Sequence, residues 1–415
     1  MGLRIGIYNL HMQARGGGEK RTLALAEHLS RSHRVWLFVK EPTDAASLES
    51  YFGVDLSRVS FVVLNEGRRV GARPRPRSAR WDALSTPFRH FLRIKSFKLD
   101  LFINNSHCSN LPCPAAHGIY MCMFPYAHPT SERKLVRRAY RSFMDQLEER
   151  VLGCRVSDFL SSYSAVTANS RFTAGWVEQM WGRRPEVVYS VCDRMGPPAD
   201  KEKIILNVGR FIDGGAGALL KRQDVLLDVF RRLTDIQTDG WQLHFAGSVA
   251  RDARSLALAE RLETDARGLP VFFHFDADLD DLRVLYRRAS LYWHATGYGF
   301  PAREHPLLQE HFGVTTVEAM SAGAVPVVIN KGGQGEIVTH ALDGFLWDDA
   351  AALARQTARL IGDPRLLARM SRQAMSSSAR FSRAAFNERV DAIIERLVSP
   401  KFEVDSIPIL FEAGG

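Results

Sequence analysis

The chain is poor in cysteine: Cys108, Cys113, Cys122, Cys154 and Cys192 are the only five in 415 residues, and no two form a Cys-x-x-Cys pair. An odd, scattered set excludes a disulfide scaffold, and the expected compartment is the reducing cytoplasm. Long apolar runs are also lacking. None reaches the ~20 residues of a membrane-spanning helix. The opening Met1-Gly-Leu-Arg-Ile-Gly-Ile-Tyr leads into a strand pattern, with no signal-peptide core or cleavage site. Zinc-ligand spacing is missing as well. His294 and His305 stand too far apart in sequence and have no cysteine partners, so no metal ion is expected. There is no nucleic-acid motif, no internal repeat beyond two strand–helix series, and no low-complexity tract except one arginine-rich run.

What is present is the composition expected of a soluble globular protein: 46% hydrophobic and 24% charged residues, in a chain long enough for two domains. The net charge is +9. Part of the excess lies in the Arg68–Arg80 run, whose six arginines are interleaved with Pro74 and Pro76 and followed by Trp81. This reads as an exposed loop, either simply solvated or in contact with anionic lipid with Trp81 at the interface. A second basic face falls at Arg133–Arg141, on an expected helix.

Strand patterns at Leu3–Asn9, Arg34–Val39, Val59–Leu64, Asp100–Asn104, Ile119–Pro125, Ala165–Ala168 and Glu186–Tyr189 alternate with helical spacing at 22–29, 83–97 and 131–160 and in a stretch ending at Trp181. Gly16, Gly17 and Gly18 follow the first strand, a strand–glycine turn–helix opening of the kind that binds nucleotides. The fourth strand runs into Asn104-Asn105-Ser106-His107. Ligands of open α/β sheets bind at the carboxyl ends of strands, so His107 is a candidate for the active site. A polar linker, Met195–Lys203, precedes a second series: strands at Ile204–Val208, Trp241–Ala246, Val271–Phe275, Leu291–His294, Ala324–Ile329 and Gly344–Trp347, then helices at 350–361, 364–378 and 382–398. The fold class is therefore α/β.

The most informative stretch is Gln309–Val338. Glu310 and Glu318 have seven residues between them, with Phe312-Gly313 inside. A helix is expected after Gly313, with Thr315 as its cap, Glu318 completing a capping box, and Gly323 ending it. Gly332 and Gly333 open a second turn before a helix near Glu336. Two helix N-termini so close in sequence offer unpaired N–H groups and positive dipole ends, which suit a phosphate.

Glu310-His-Phe-Gly-Val-Thr-Thr-Val-Glu318-Ala-Met resembles the donor-binding signature of glycosyltransferase family 4, in the branch of the dolichol-linked mannosyltransferases that use GDP-mannose. The resemblance implies a GT-B architecture: two Rossmann-like domains facing across a cleft, with C-terminal helices crossing back to the first. The implied parts are an acceptor domain at 1–194, a nucleotide-sugar domain at 195–380, and a returning helix and tail at 381–415. It implies retaining transfer of a hexose, mannose or glucose-type, from a GDP- or UDP-linked sugar to an acceptor hydroxyl, with no cofactor. Arg210, in Gly209-Arg-Phe, and Lys221, in Lys-Arg-Gln, match the family's cations for the diphosphate. Glu318 matches the ribose ligand. Glu310 holds sugar hydroxyls, helped by the backbone of His311, Phe312, Gly313, Val314 and Thr315. Gly16–Gly18 and Gly247 line the donor, and His107 faces the sugar. The acceptor is open, with a lipid-linked one favoured by the arginine run, and the location is cytoplasmic or peripheral at the inner membrane face. Three features depart from the family: Met123 replaces a histidine before Phe124-Pro125, Ser190 and Val191 stand at the hinge approach, and Ile212–Leu220 is long. Met123 and the long Arg210–Lys221 spacing keep open the alternative of a weak or inactive subunit that binds nucleotide sugar or a partner protein.

Overall fold

The computed structural model describes residues 2–14, 16–64, 88–126, 146–197, 199–213, 221–234 and 240–399. The Arg68–Arg80 run, the Arg133–Arg141 face, most of Ile212–Leu220 and the tail after Ser399 lie outside them.

The first sheet has seven parallel strands: β1 (Arg4–Tyr8), β2 (Arg34–Val39), β3 (Val59–Val63), β4 (Leu101–Asn104), β5 (His117–Cys122), β6 (Ala165–Ala168) and β7 (Glu186–Val187), in the order β3-β2-β1-β4-β5-β6-β7. The second has six: β8 (Glu202–Val208), β9 (Gln242–Gly247), β10 (Val271–Phe275), β11 (Ala289–His294), β12 (Val325–Ile329) and β13 (Phe345–Trp347), in the order β10-β9-β8-β11-β12-β13. Both orders reverse direction beside their first strand, at β1/β4 and at β8/β11. These are the switch points where open sheets hold ligands. Strands such as β11 and β12 are buried at every position, because helices cover both faces of a parallel sheet.

The helices between the strands include α1 (Gly17–Ser30), α2 (Ala45–Phe52), α3 (Arg171–Trp181), α4 (Gln223–Thr234), α5 (Ala253–Asp265), α6 (Leu279–Arg288), α7 (Val314–Ser321) and α8 (Gln334–Ile337). Side-chain caps fix the starts of α2, α3 and α6: Asp44 accepts from Ser47 N, Ser170 from Thr173 N, and Asp278 from Asp280 N and Asp281 N. Then come α9 (Ala350–Gly362), α10 (Pro364–Ser378) and α11 (Arg383–Val398). The last of these crosses back. Phe386, Val390, Ile393 and Ile394 enter the core of the first sheet beside Leu25 and Leu29, each contributing about 1.5–3 kcal/mol by its burial. Cys192 and Ser382 form a parallel bridge at the crossing.

The expected helix over 131–160 is not continuous. Among the described residues helix ends at Leu152, Gly153 turns the chain at φ 78, and a separate 3-10 segment follows at Val156–Ser162. A left-handed glycine stops an α-helix regardless of the apolar spacing around it.

Candidate active site

The carboxyl end of β8 turns at Gly209 and Arg210, and that of β9 at Gly247. A Cβ on Gly247, whose φ is 149, would lie 2.2 Å from the Gly209 carbonyl oxygen, so the two turns interlock with no room for a side chain. A Cβ on Gly209 would sit 3.1 Å from the Lys221 stem, which places that lysine over the turn. Arg210 is exposed beside it.

Lys221 Nζ donates to Glu310 Oε2 at 2.5 Å. His294, the last residue of β11, reaches the same oxygen through Nε2 at 3.2 Å, with Thr296 Oγ1 3.1 Å from that nitrogen. Nε2 must carry the proton to serve a carboxylate. His294 Nδ1 is then a bare acceptor, buried without a partner among the described residues. Burial works against the charge of Glu310, but the Lys221 ammonium and the His294 N–H outweigh it and hold the carboxyl well below the usual carboxylate range. Burial pushes the His294 ring down, although Glu310 pulls the other way. Glu310 is therefore a fixed anion at the second switch point, not a solvated loop acid.

The loop before it is fastened too. Lys331 Nζ donates to the carbonyls of Gly297 and Phe300, Gln309 Nε2 to those of Phe300 and His305, and Arg222 to that of Tyr298. His305 is thus part of a braced loop, away from the His294–Glu310 pair.

The capping expectation at α7 is corrected. Gly313, at φ 120, is the N-cap, and no side chain caps the helix. A Cβ there would lie 2.6 Å from Gln334 Nε2, so close packing on α8 requires glycine and shifts the helix start. Thr315 instead accepts from the Tyr292 hydroxyl at 2.7 Å. Glu318 does not fold back onto the cap. It points inward, where Oε1 takes the Lys20 ammonium at 2.6 Å and Oε2 the Tyr286 hydroxyl at 3.0 Å. Gly323 does end the helix, at φ 84.

Lys20 belongs to the other domain, in the first turn of α1 behind Gly16–Gly18. Across the cleft, a Cβ on Gly17 would lie 3.7 Å from Val314 Cγ2, so the N-termini of α1 and α7 meet. A Cβ on Gly18 would touch Met123 Sδ at 2.7 Å, so the residue that replaces the family histidine lies against the glycine turn. Of the two histidines that flank Met123 in sequence, His117 begins β5, at the end of the sheet away from the cleft, and His128 lies outside the described residues. His107 is exposed after β4. Partial burial and then nearby His11 lower its pKa.

His311 stacks on Phe124 at 4.2 Å and more distantly on Phe172. Glu336 of α8 accepts from the Arg171 and Phe172 amides at 2.8 Å each, at the start of α3. Phe312 stacks on Tyr189. His311, Phe312, Val314 and Glu318 thus meet the first domain, while Glu310, Gly313 and Thr315 are held by the second.

Burial lowers His311 to about 4, with Glu310 raising it and Lys221 and His107 lowering it further. The fold holds this ring neutral, whereas the unfolded chain takes up its proton near pH ~6.5. In that window the unfolded state binds more protons, so stability falls as pH drops from about 6.5 toward 4. Melting temperature followed across this range should decline, and His311→Gln should flatten the decline; an unchanged slope in the variant rejects the assignment.

Sequence reasoning brought Glu310, Glu318, Lys221 and the glycine turns to one place, and the structure also sets Arg210 and His107 at its rim. It gave no role to Lys20, Asp193, Tyr286 or His294. His294 carried a usable signal, as the residue that closes the Leu291-Tyr-Trp strand pattern at a switch point.

Two doubly wound parallel sheets whose switch points face one another across a cleft define a GT-B protein. The chain matches the family described as Glycosyltransferase Family 4 over residues 15–194 and that described as Glycosyl transferases group 1 over 194–377. Together these matches run almost the length of the fold, and the chain belongs to glycosyltransferase family 4. It is 22% identical over 306 residues to the human alpha-1,3/1,6-mannosyltransferase ALG2, covering 68% of each chain. It is 30% identical over 194 residues to the GDP-Man:Man(3)GlcNAc(2)-PP-Dol alpha-1,2-mannosyltransferase of Yarrowia lipolytica, where the match spans 42% of this chain but only 28% of that protein. A glycosyltransferase from Rickettsia africae superposes with a TM-score of 0.67 at 14% identity, over 96% of this chain and 99% of the other. Anabaena HepE, solved with UDP and glucose, superposes with a TM-score of 0.62 at 17% identity, over 95% and 100%. No helix among the described residues is long and apolar enough to cross a membrane.

Proposed function

We propose that this chain is a retaining hexosyltransferase that moves a mannose- or glucose-type sugar from a nucleoside diphosphate to an acceptor hydroxyl. The observation that carries the reading is the partly buried Lys221–Glu310–His294 cluster at the β8/β11 switch point, beside exposed Arg210 and opposite the glycine turn of α1. Nucleotide-sugar chemistry calls for both signs of charge in one crevice. Cations must hold a diphosphate that gains negative charge as it leaves, and acids must accept hydrogen bonds from sugar and ribose hydroxyls.

In this reading Lys221, Arg210 and the helix N-termini at Gly313–Thr315 take the diphosphate, without a metal ion. Glu310 accepts from sugar hydroxyls, and His294 fixes its orientation. Glu318 accepts from the ribose. The acceptor enters from the first domain past His107 and Met123. Its oxygen attacks the anomeric carbon on the face the phosphate leaves; the C–O bond to phosphate breaks as the new one forms, and the acceptor proton passes to the departing phosphate oxygen. Closure of the domains excludes water and limits donor hydrolysis. The mannosyltransferase relatives support GDP-mannose as donor and a lipid-linked acceptor, which would bring the protein to a membrane surface from the cytoplasmic side.

A donor screen read by mass spectrometry tests this. One sugar nucleotide should be consumed with transfer to a lipid-linked or saccharide acceptor. Glu318→Ala should lose about a hundredfold or more in transfer while keeping the far-ultraviolet spectrum of the parent. Binding of GDP- or UDP-sugars with no turnover on any acceptor would instead make the chain a non-catalytic subunit.

A further inference from the structure

Both oxygens of Glu318, the residue assigned to the ribose, are engaged by protein: Oε1 by Lys20 and Oε2 by Tyr286. A ribose diol arriving as a hydrogen-bond donor competes with them for the carboxylate, and the surroundings decide which gives way. Tyr286 is 1% exposed, and releasing it would strand a buried hydroxyl. Lys20 is differently placed. Its Nζ also lies 3.1 Å from Asp193, but Asp193 has a second cation in Arg383 at 2.8 Å, and Arg383 continues to Glu27 at 2.6 Å. If the ammonium leaves, Asp193 stays paired, and Glu318 exchanges one charged donor for two hydroxyls. Lys20 is rooted in the first turn of α1, the turn that meets the N-terminus of α7 at Gly17 and Val314. A flexible stem with a compact charge can move within such a turn.

We infer that Lys20 is a further donor-binding residue, a cation held on Glu318 that passes to the diphosphate when the ribose hydroxyls take over the carboxylate. This rests on the proposed function. It makes the ribose and the diphosphate interdependent: the diol frees the ammonium, and the phosphates receive it. A nucleoside without phosphates must break the bridge with nothing to accept Lys20. A nucleoside diphosphate without the diol leaves Lys20 where it is.

The test is calorimetry of the full-length protein with guanosine, GDP and their 2′,3′-dideoxy forms, and with the uridine set in parallel. On the unaltered protein the contributions of diol and diphosphate should exceed additivity by about tenfold in affinity. In Lys20→Gln the nucleoside should bind several-fold more tightly and the diphosphate about tenfold more weakly, with the excess over additivity gone. Strict additivity on the unaltered protein overturns the inference even if the variant fails to fold. An equal shift of both ligands in the variant, or no shift of either, also overturns it and leaves Lys20 as a static tie between domains. Absence of binding by both GDP and UDP to the unaltered protein is a separate result, and it would remove the donor reading itself.

Discussion

Lys221→Met should reduce kcat for sugar transfer by about a thousandfold, at the upper end of what one transition-state donor contributes. The ammonium faces Glu310 at 2.5 Å with both side chains 17% exposed, so it is desolvated enough for its charge to matter and accessible enough to turn toward a ligand. The stem, laid over Gly209, fixes where the charge can go. The same substitution leaves Glu310 a half-compensated, mostly buried carboxylate and should cost about 1–3 kcal/mol of stability, less than a fully buried pair because some water reaches the site. Adding Glu310→Gln should recover part of that stability and none of the activity. Melting curves and steady-state rates on the two single variants and the double variant separate the effects. A Lys221→Met protein keeping a tenth of the parent kcat would remove the lysine from the reaction.

The same pair shows what was legible in the sequence. Strands such as Ile204–Val208 and Ala324–Ile329 are apolar, β-branched and bounded by glycine, and each became a buried parallel strand. Glu310 and Lys221 were legible because a surrounding string identified them, not because two charges 89 residues apart announce a contact. Where the reading relied on a local rule, tertiary packing overrode it. Thr315 and Glu318 have the spacing of a capping box, but Tyr292 and Lys20 take their side chains, and the close approach of α7 to α8 leaves the cap to Gly313. Lys20 was hard to find for a simple reason: its partner is 298 residues away, on a helix of the other domain. A lysine in the first turn of a helix normally opposes the dipole; that local misfit, with no nearby acid to explain it but Glu19, was the one sign that its partner comes from elsewhere. Glu19 itself is spent on the Gly16 amide at 2.8 Å.

Gly332→Ala should also be severe, although residue 332 has no side chain to bind anything. Its φ is 60, and a Cβ would lie 2.1 Å from the Glu310 carbonyl oxygen and 3.2 Å from the Glu310 amide nitrogen. Neither is the yielding tip of a side chain. Both are backbone of the residue whose carboxylate Lys221 and His294 hold. The next residue tightens the constraint: the Gly333 N–H donates to that carbonyl at 2.8 Å, and a Cβ on Gly333 would meet Phe312 Cα at 2.6 Å. The turn that opens α8 therefore acts as a template against which the Glu310–Gly313 strand of backbone is laid. An alanine must displace that backbone by about an ångström, and a shift of this size at a reacting centre costs on the order of a hundredfold in rate. Strain at the left-handed position adds about 1–2 kcal/mol of destabilisation. The expected signature is a fall in kcat of about a hundredfold with a modest drop in melting temperature, and donor affinity weakened far less than in Lys221→Met, because the cations stay in place. Gly335→Ala is the control: its Cβ would meet only Asn330 Oδ1, at 3.7 Å, and its rate should stay within a few-fold of the parent. Equal losses in the two variants would mean that α8 merely supports the fold, and that Glu310 does not depend on this turn for its position.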